Sequence, residues 1–117
     1  MSFRFEKLTV WQDARVLIGH IYTVTKGFPV DERFGITNQL RRAATSIALN
    51  IAEGSDRKSD PDFQRFLRMA LSSCEEVVTG LYISMDQDYI QKKEFDKLYA
   101  ESNILVAKIN ALIKSLK

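Results

Sequence analysis

Polar side chains recur on one side of a predicted helix between residues 39 and 53, and they carry the chemistry that this sequence offers. Their spacing of three and four residues stacks side chains along a helix, and the line consists of Gln39, Arg42, Ser46, Asn50 and Glu53. A second line of small and polar residues follows downstream: Ser72, Ser73, Glu76 and Gly80. In these lines, the carboxylates of Glu53 and Glu76 are the groups that could act as acid and base.

Catalysis by these two carboxylates is the least favoured interpretation, because the groups that usually accompany them are missing. His20 is the only histidine, whereas zinc sites and di-iron bundles need several histidine, cysteine or glutamate ligands. Cys74 falls on an apolar stripe, which favours a buried and inert thiol. The sequence contains no glycine-rich phosphate loop and no Gly-x-Ser-x-Gly motif. We therefore predict no catalytic residue, no metal site and no cofactor.

The two polar lines are instead predicted to form a network between consecutive helices. Antiparallel packing could bring Arg42, Asn50, Glu53 and Glu76 into one hydrogen-bonded cluster. A buried polar group must be hydrogen-bonded, since an unpaired one costs a few kcal/mol. An ordinary half-exposed helix flank is the alternative.

Basic residues are concentrated in the middle of the chain. The whole chain carries a net charge of +2, and residues 33–68 alone carry seven basic and four acidic side chains. A positive segment can bind a polyanion such as RNA or DNA, and the candidate residues are Arg41, Arg57, Lys58, Arg65 and Arg68. The alternative is a protein-interaction module without affinity for nucleic acid. It is favoured if these cations pair internally with acidic residues.

Apolar residues at intervals of three and four predict the helices that position these groups. The first begins within residues 4–8 and ends by Gly27, because the residue before a proline is pushed out of the helical region. The second carries an apolar stripe from Ile36 to Ile51 and ends at Gly54, which serves as its C-terminal cap.

The third helix has the clearest start in the sequence. The carboxylate of Asp60 is predicted to cap it, with Pro61 at the first helical position, and its stripe continues to Met85. The fourth covers residues 92–116 with a heptad seam.

Four helices of similar length with short connections predict an all-α, up-down-up-down antiparallel four-helix bundle. The 117 residues suffice for a single domain, 1–117. One cysteine suits a reducing compartment. The sequence shows no signal peptide and no apolar run as long as a membrane span. We therefore expect a bacterial-type cytoplasmic protein with no membrane contact.

Some apolar residues point away from the predicted core. Leu49 lies with Ala48 and Ala52 on the far side of the second helix, while Ile83 and Ile104 lie opposite the stripes of the third and fourth. Several such residues in a bundle this small indicate contacts between copies of the chain. Leu49, Ile83 and Ile104 are therefore the candidate subunit-interface residues.

Several motifs resemble those of the small proteins encoded in bacterial 23S ribosomal RNA intervening sequences. Residues 39–54 read QLRRAATSIALNIAEG, which looks like the signature of this family. The same family is suggested by Phe28-Pro29-x-x-Glu32-x-x-Gly35, by Phe66-Leu67-x-x-Ala70-x-x-Ser73-x-x-Glu76, by Leu8-x-x-Trp11-x-x-Ala14 and by Tyr89-Ile90. The resemblance covers almost the whole chain.

The resemblance implies a homopentamer with a central opening. A relative, the accessory variability protein of diversity-generating retroelements, uses such a pentamer to bind a reverse transcriptase and nucleic acid, so a nucleic-acid enzyme is one implied protein partner. The family's polar residues correspond to the candidate network, Gln39, Arg42, Ser46, Asn50, Glu53, Ser73 and Glu76. This chain departs from the family at Ala48, where proline is frequent, and at Ser72, where glycine is frequent.

Overall fold

The computed structural model describes residues 2–116 and consists of four long α-helices and two short 3₁₀ turns. The helices are α1 (Thr9–Thr25), α2 (Ile36–Ser55), α3 (Asp60–Asp86) and α4 (Lys92–Ser115). The 3₁₀ turns are Arg4–Lys7 and Val30–Glu32. No strand occurs within residues 2–116, so the predicted all-α four-helix bundle is confirmed. The chain ends, residues 1 and 117, lie outside the described part.

Each helix packs against the two helices beside it around the bundle. α1 and α3 each contact α2 and α4, and the diagonal pairs do not touch within the described residues. One side chain from each helix illustrates the shared core, where Leu17, Ile47, Val77 and Ile109 are completely buried. The bundle therefore has four sides, and its α2/α3 side lies opposite its α1/α4 side.

None of the helices within residues 2–116 has the combination of length and hydropathy that a membrane-spanning segment requires.

The start of α3 differs from the prediction by one residue. The cap is Ser59, whose hydroxyl oxygen accepts a hydrogen bond from the backbone N–H of Asp62 at 3.2 Å. A capping residue needs an extended backbone, and Ser59 has it, with φ −121° and ψ 148°. Asp60 is already helical, so its predicted role as the cap is wrong. Its carboxylate instead lies in the first turn, where the helix dipole favours a negative charge.

Gly54 does not cap α2, contrary to the prediction. The helix continues through Ser55, and Gly54 has no left-handed backbone conformation. Its role is close packing, because a Cβ atom at this position would lie 2.6 Å from the Cβ of Phe66 and 3.0 Å from a ring carbon of Phe63. The missing side chain therefore allows the end of α2 to approach the start of α3.

Glu32 fastens the start of α2 to the connection between α3 and α4. Its Oε1 accepts a hydrogen bond from the backbone N–H of Ile36 at 3.2 Å, and its Oε2 accepts one from the hydroxyl of Tyr89 at 2.7 Å. The bond from Tyr89, followed by that from Ile36, lowers the pKa of Glu32 from its ordinary value. A Cβ atom on Gly35 would collide with the Glu32 carboxylate, which explains the glycine three residues later.

Glu32→Gln is expected to lower stability at neutral pH and to remove part of its acid dependence. A carboxyl group with a lowered pKa in the folded state stabilises the fold above its unfolded pKa, and this contribution is lost as the pH falls through the lowered value. The wild-type protein should therefore lose this contribution below about pH 4.5. Thermal unfolding followed by circular dichroism from about pH 3 to 7 measures it. Parallel curves for the two proteins would contradict the assignment.

Candidate functional site

Arg57 and Arg65 lie where α2 connects to α3, and both engage acidic side chains. The Nη2 of Arg57 donates to Oε1 of Glu53 at 2.9 Å, and its Nε lies 3.8 Å from Oδ2 of Asp62. The Nε of Arg65 donates to Oδ1 of Asp62 at 2.9 Å. Each guanidinium carbon lies 4.5 Å from the centre of the Phe66 ring. Two cations and two carboxylates thus offset one another, which reduces what these arginines offer to a polyanion.

The other basic candidates lack acidic partners. Lys58 and Arg68 are exposed and form no hydrogen bond or ion pair with another residue in the described part of the chain. Arg41 lies away from them, between α1 and α2, where its Nε donates to the hydroxyl of Thr25 at 2.9 Å. The five candidates therefore do not form one patch, and two of them are neutralised by neighbours.

Sequence reasoning missed the partners of Arg57 and Arg65, although a signal was present. Glu53 precedes Arg57 by four residues and Asp62 precedes Arg65 by three, the intervals at which opposite charges meet on a helix. Both pairs are largely exposed, so each contributes at most about 1 kcal/mol to stability.

Three members of the predicted polar network join α2 to α3. The hydroxyl of Ser73 donates to the hydroxyl oxygen of Ser46 at 3.0 Å. The Nδ2 of Asn50 donates to the same hydroxyl oxygen at 3.0 Å and to the backbone oxygen of Ser46 at 2.9 Å. Ser73 is buried and the other two are half-buried, so this short chain of bonds satisfies polar groups within the helix contact.

The remaining members do not join that cluster. The side chains of Gln39, Arg42 and Glu76 are exposed and form no hydrogen bond or ion pair with another of residues 2–116, while Glu53 pairs with Arg57. The reason is the length of these side chains, which extend from the flank of the contact into solvent. The expected joint cluster of Arg42, Asn50, Glu53 and Glu76 is therefore not formed within this chain.

Glu76 instead lines an open groove between α2 and α3 with a volume of about 410 Å³. Gln39, Glu75 and Ile83 also line it. Gly80 forms part of its floor, where a Cβ atom would lie 2.6 Å from Cδ2 of Leu40. The groove combines apolar surface with two carboxylates, and none of its lining residues is basic. We call it the α2/α3 groove.

The three candidate interface residues are exposed in the isolated chain. The exposed fractions are 63% for Leu49, 44% for Ile83 and 58% for Ile104. Ile83 lies in the α2/α3 groove, whereas Ile104 lines a depression on the α1/α4 side together with Val16, which is 54% exposed. Apolar surface is therefore present on two opposite sides of the bundle.

The titratable groups of the described chain do not assemble a reactive centre. Burial raises the pKa of the Cys74 thiol to about 12, which leaves it protonated and unreactive at neutral pH. His20 is exposed, and its Nδ1 lies 2.8 Å from Oε1 of Glu101, linking α1 to α4. Within residues 2–116, no group of three or more histidine, cysteine, aspartate or glutamate residues is arranged to hold a metal ion.

Comparison with solved structures supports the fold. A crystal structure at 1.70 Å resolution of a protein with unknown function from the S23 ribosomal protein family of Bacteroides thetaiotaomicron VPI-5482 has a similar fold, with a TM-score of 0.80. The match covers 91% of this chain and 99% of that chain at 23% sequence identity. No curated protein matches the sequence.

The family is identified by a match that covers most of the chain. Residues 6–111 match the family described as 23S rRNA-intervening sequence protein. The matched range includes all of α1, α2 and α3 and most of α4. The chain therefore belongs to the 23S rRNA-intervening sequence protein family.

Proposed function

We propose that this protein is a non-enzymatic, cytoplasmic homo-oligomer, pentameric in its assembled form, that binds nucleic acid or a nucleic-acid-associated protein. The observation that carries the assembly is the exposed apolar surface on opposite sides of the bundle. Ile83 and Met69, 44% and 43% exposed, lie along the outer α2/α3 side. Ile104 and Val16, 58% and 54% exposed, lie on the α1/α4 side.

Two different surfaces on opposite sides favour head-to-tail association. When one side of a subunit docks on a different side of the next, the contact is heterologous, and it closes into a ring if the rotation between subunits allows. An isologous dimer would use the same surface on both partners and leave the other side exposed. The geometry thus supports a ring, and the number five rests on the family resemblance.

Nucleic acid is the proposed ligand because basic groups on α2, α3 and their connection lack acidic partners. Arg42, Lys58 and Arg68 are exposed and unpaired within residues 2–116. A ring would repeat these charges in every subunit, and affinity for a polyanion grows with each phosphate that is neutralised.

Salt-titrated binding to structured RNA and duplex DNA tests this proposal. We expect the logarithm of the binding constant to fall linearly with the logarithm of salt concentration, by about 0.7–0.9 per phosphate neutralised. Lys58→Ala with Arg68→Ala should make the slope shallower in proportion. Lys93→Ala is the matched control, because Lys93 is an equally exposed, unpaired cation at the start of α4. Absence of binding at low salt would overturn the nucleic-acid part of the proposal.

A protein partner without nucleic acid is the second candidate. It is favoured by the pairing of Arg57 with Glu53 and of Arg65 with Asp62, which removes two of the five candidate cations from the free surface.

Catalysis by Glu53 and Glu76 finds less support. Gly54 contacts Phe66, so Glu53 lies level with the start of α3. Glu76 lies ten residues beyond Phe66, about 15 Å along the axis. Two carboxylates that share one bond-breaking step are typically about 5–9.5 Å apart.

A further inference from the structure

Acidic residues are nearly absent from one side of the bundle. Residues 14–52 contain five lysines and arginines, and their only acidic residues are Asp31 and Glu32 in the connection between α1 and α2. Asp13 of α1 is turned toward α4, where it accepts a bond from Nζ of Lys108 at 2.7 Å. The groove between α1 and α2, which we call the α1/α2 groove, therefore carries positive charge from Arg15, Arg41 and Lys26.

Arg41 and Tyr22 form a flat, ordered platform in this groove. The Arg41 guanidinium carbon lies 4.6 Å from the centre of the Tyr22 ring. The Nε of Arg41 donates to the hydroxyl of Thr25 at 2.9 Å, and that hydroxyl donates to the backbone oxygen of Ile21 at 2.7 Å. Thr25 is thus a fixed acceptor that orients the guanidinium without neutralising it. Tyr22 remains 40% exposed, so a further planar group can stack there.

The same pairing of an arginine with an aromatic ring occurs near both ends of the groove. In the α1–α2 connection, the guanidinium carbon of Arg33 lies 4.9 Å from the ring centre of Phe34, which is 82% exposed. Near the start of α1, Arg15 lies 5.1 Å from the ring centre of Trp11. Trp11 and Tyr22 are separated by about 16 Å along the helix axis.

The other arginine–aromatic contacts differ because their rings are inaccessible. Arg4 lies over Phe63, and Arg57 and Arg65 lie over Phe66. These two rings are only 1% and 6% exposed, and they serve the packing of α3. Accessible rings with arginine partners are thus confined, within residues 2–116, to the α1/α2 region.

We propose that the α1/α2 groove binds single-stranded nucleic acid by stacking bases on Tyr22 and Phe34 while Arg15, Lys26 and Arg41 contact phosphates. Aromatic rings interleaved with cations along a groove are the usual means of binding single strands, since every base has a face that stacks. Duplex bases are already stacked on one another and cannot use these rings. This inference rests on the proposed function and assigns it a surface and a strand preference. It also adds residues outside the α2–α3 region, Tyr22 and Phe34 above all.

The groove is compatible with the proposed ring. Contacts through the α2/α3 and α1/α4 sides leave the α1/α2 side free in every subunit. Repetition of the groove would increase the affinity for a strand long enough to reach two subunits.

Binding of unstructured oligonucleotides to aromatic variants tests the proposal. The probes are a labelled RNA of roughly twelve nucleotides, the DNA of the same sequence, and the RNA paired with its complement. We expect the single strands to bind more tightly than the duplex. Tyr22→Leu and Phe34→Leu should each weaken single-strand binding about 5- to 150-fold without changing the salt slope. Lys26→Ala should instead make the slope shallower by about 0.7.

Two further variants separate stacking from folding. Tyr22→Phe keeps the ring and should bind as the wild type does, whereas Tyr99→Leu removes a ring of similar exposure, 36%, on the α3/α4 side and should have no effect. Phe34 is so exposed that its replacement does not disturb the core. Unchanged single-strand binding by both leucine variants would overturn the groove while leaving the polyanion proposal in place. Absence of binding to all probes at low salt would overturn both.

Discussion

Gly54→Ala is expected to lower the free energy of unfolding by about 1–3 kcal/mol, the cost of overpacking a well-filled contact. The added Cβ atom would lie 2.6 Å from the Cβ of Phe66. That atom is attached directly to the backbone of α3, so the clash is relieved only if the helices separate. Separation would weaken the packing of Phe63, which is 1% exposed. Urea denaturation at a fixed protein concentration measures the change.

Gly19→Ala is the matched control for this substitution. Gly19 lies inside α1, and no heavy atom from outside its own turn lies within 4 Å of an added Cβ atom. Alanine there should stabilise the protein by about 0.5–1 kcal/mol, because it reduces the conformational freedom lost on folding. If both alanine variants were stabilised equally, the close approach of Gly54 to Phe66 could not be the reason for glycine at that position.

Gly54 also shows which features of the fold the sequence could and could not predict. The stripes from Ile36 to Ile51 and from Phe63 to Met85 predicted α2 and α3 because helical periodicity is a local property. A glycine near the end of such a stripe is equally compatible with a left-handed cap and with a close helix contact. The choice depends on where Phe66 lies in space, which no local pattern specifies.

The candidate site was less predictable than the fold for a related reason. Periodicity correctly grouped Ser46, Asn50 and Ser73 near one helix contact, where short side chains have few alternatives. It could not predict the fate of Arg41 or Arg57, because a long side chain can reach several partners. The packing of α1 against α2 directs Arg41 to Tyr22 and Thr25, whereas Arg57 reaches back to Glu53.

Leu49→Asp is expected to dissociate the proposed assembly while leaving the helical content unchanged. Leu49 is 63% exposed in the isolated chain, so an aspartate there is tolerated by the bundle itself. At a subunit contact, the change removes about 1.5–3 kcal/mol of apolar burial and adds a carboxylate that must lose its hydration. Light scattering should show the mass fall from about five times 13.4 kDa to that of one chain.

Val30→Asp is the control for this change, since Val30 is 80% exposed in the α1–α2 connection, away from both proposed contact sides. Its mass should equal that of the wild type. A wild-type mass near 13.4 kDa at micromolar concentration would contradict the assembly altogether. A wild-type dimer or tetramer would contradict only the number five.

Mixing two separately blocked variants tests whether the contact is head-to-tail. Ile83→Asp should block the α2/α3 side and Ile104→Asp the α1/α4 side, so that each variant alone is monomeric. In a mixture, the intact α1/α4 side of the first can dock on the intact α2/α3 side of the second. Both outer sides of that pair are blocked, so growth should stop at two chains, because a heterologous contact needs one surface from each partner. Recovery of no complex at high concentration, or of complexes larger than two chains, would contradict the pairing of these two sides.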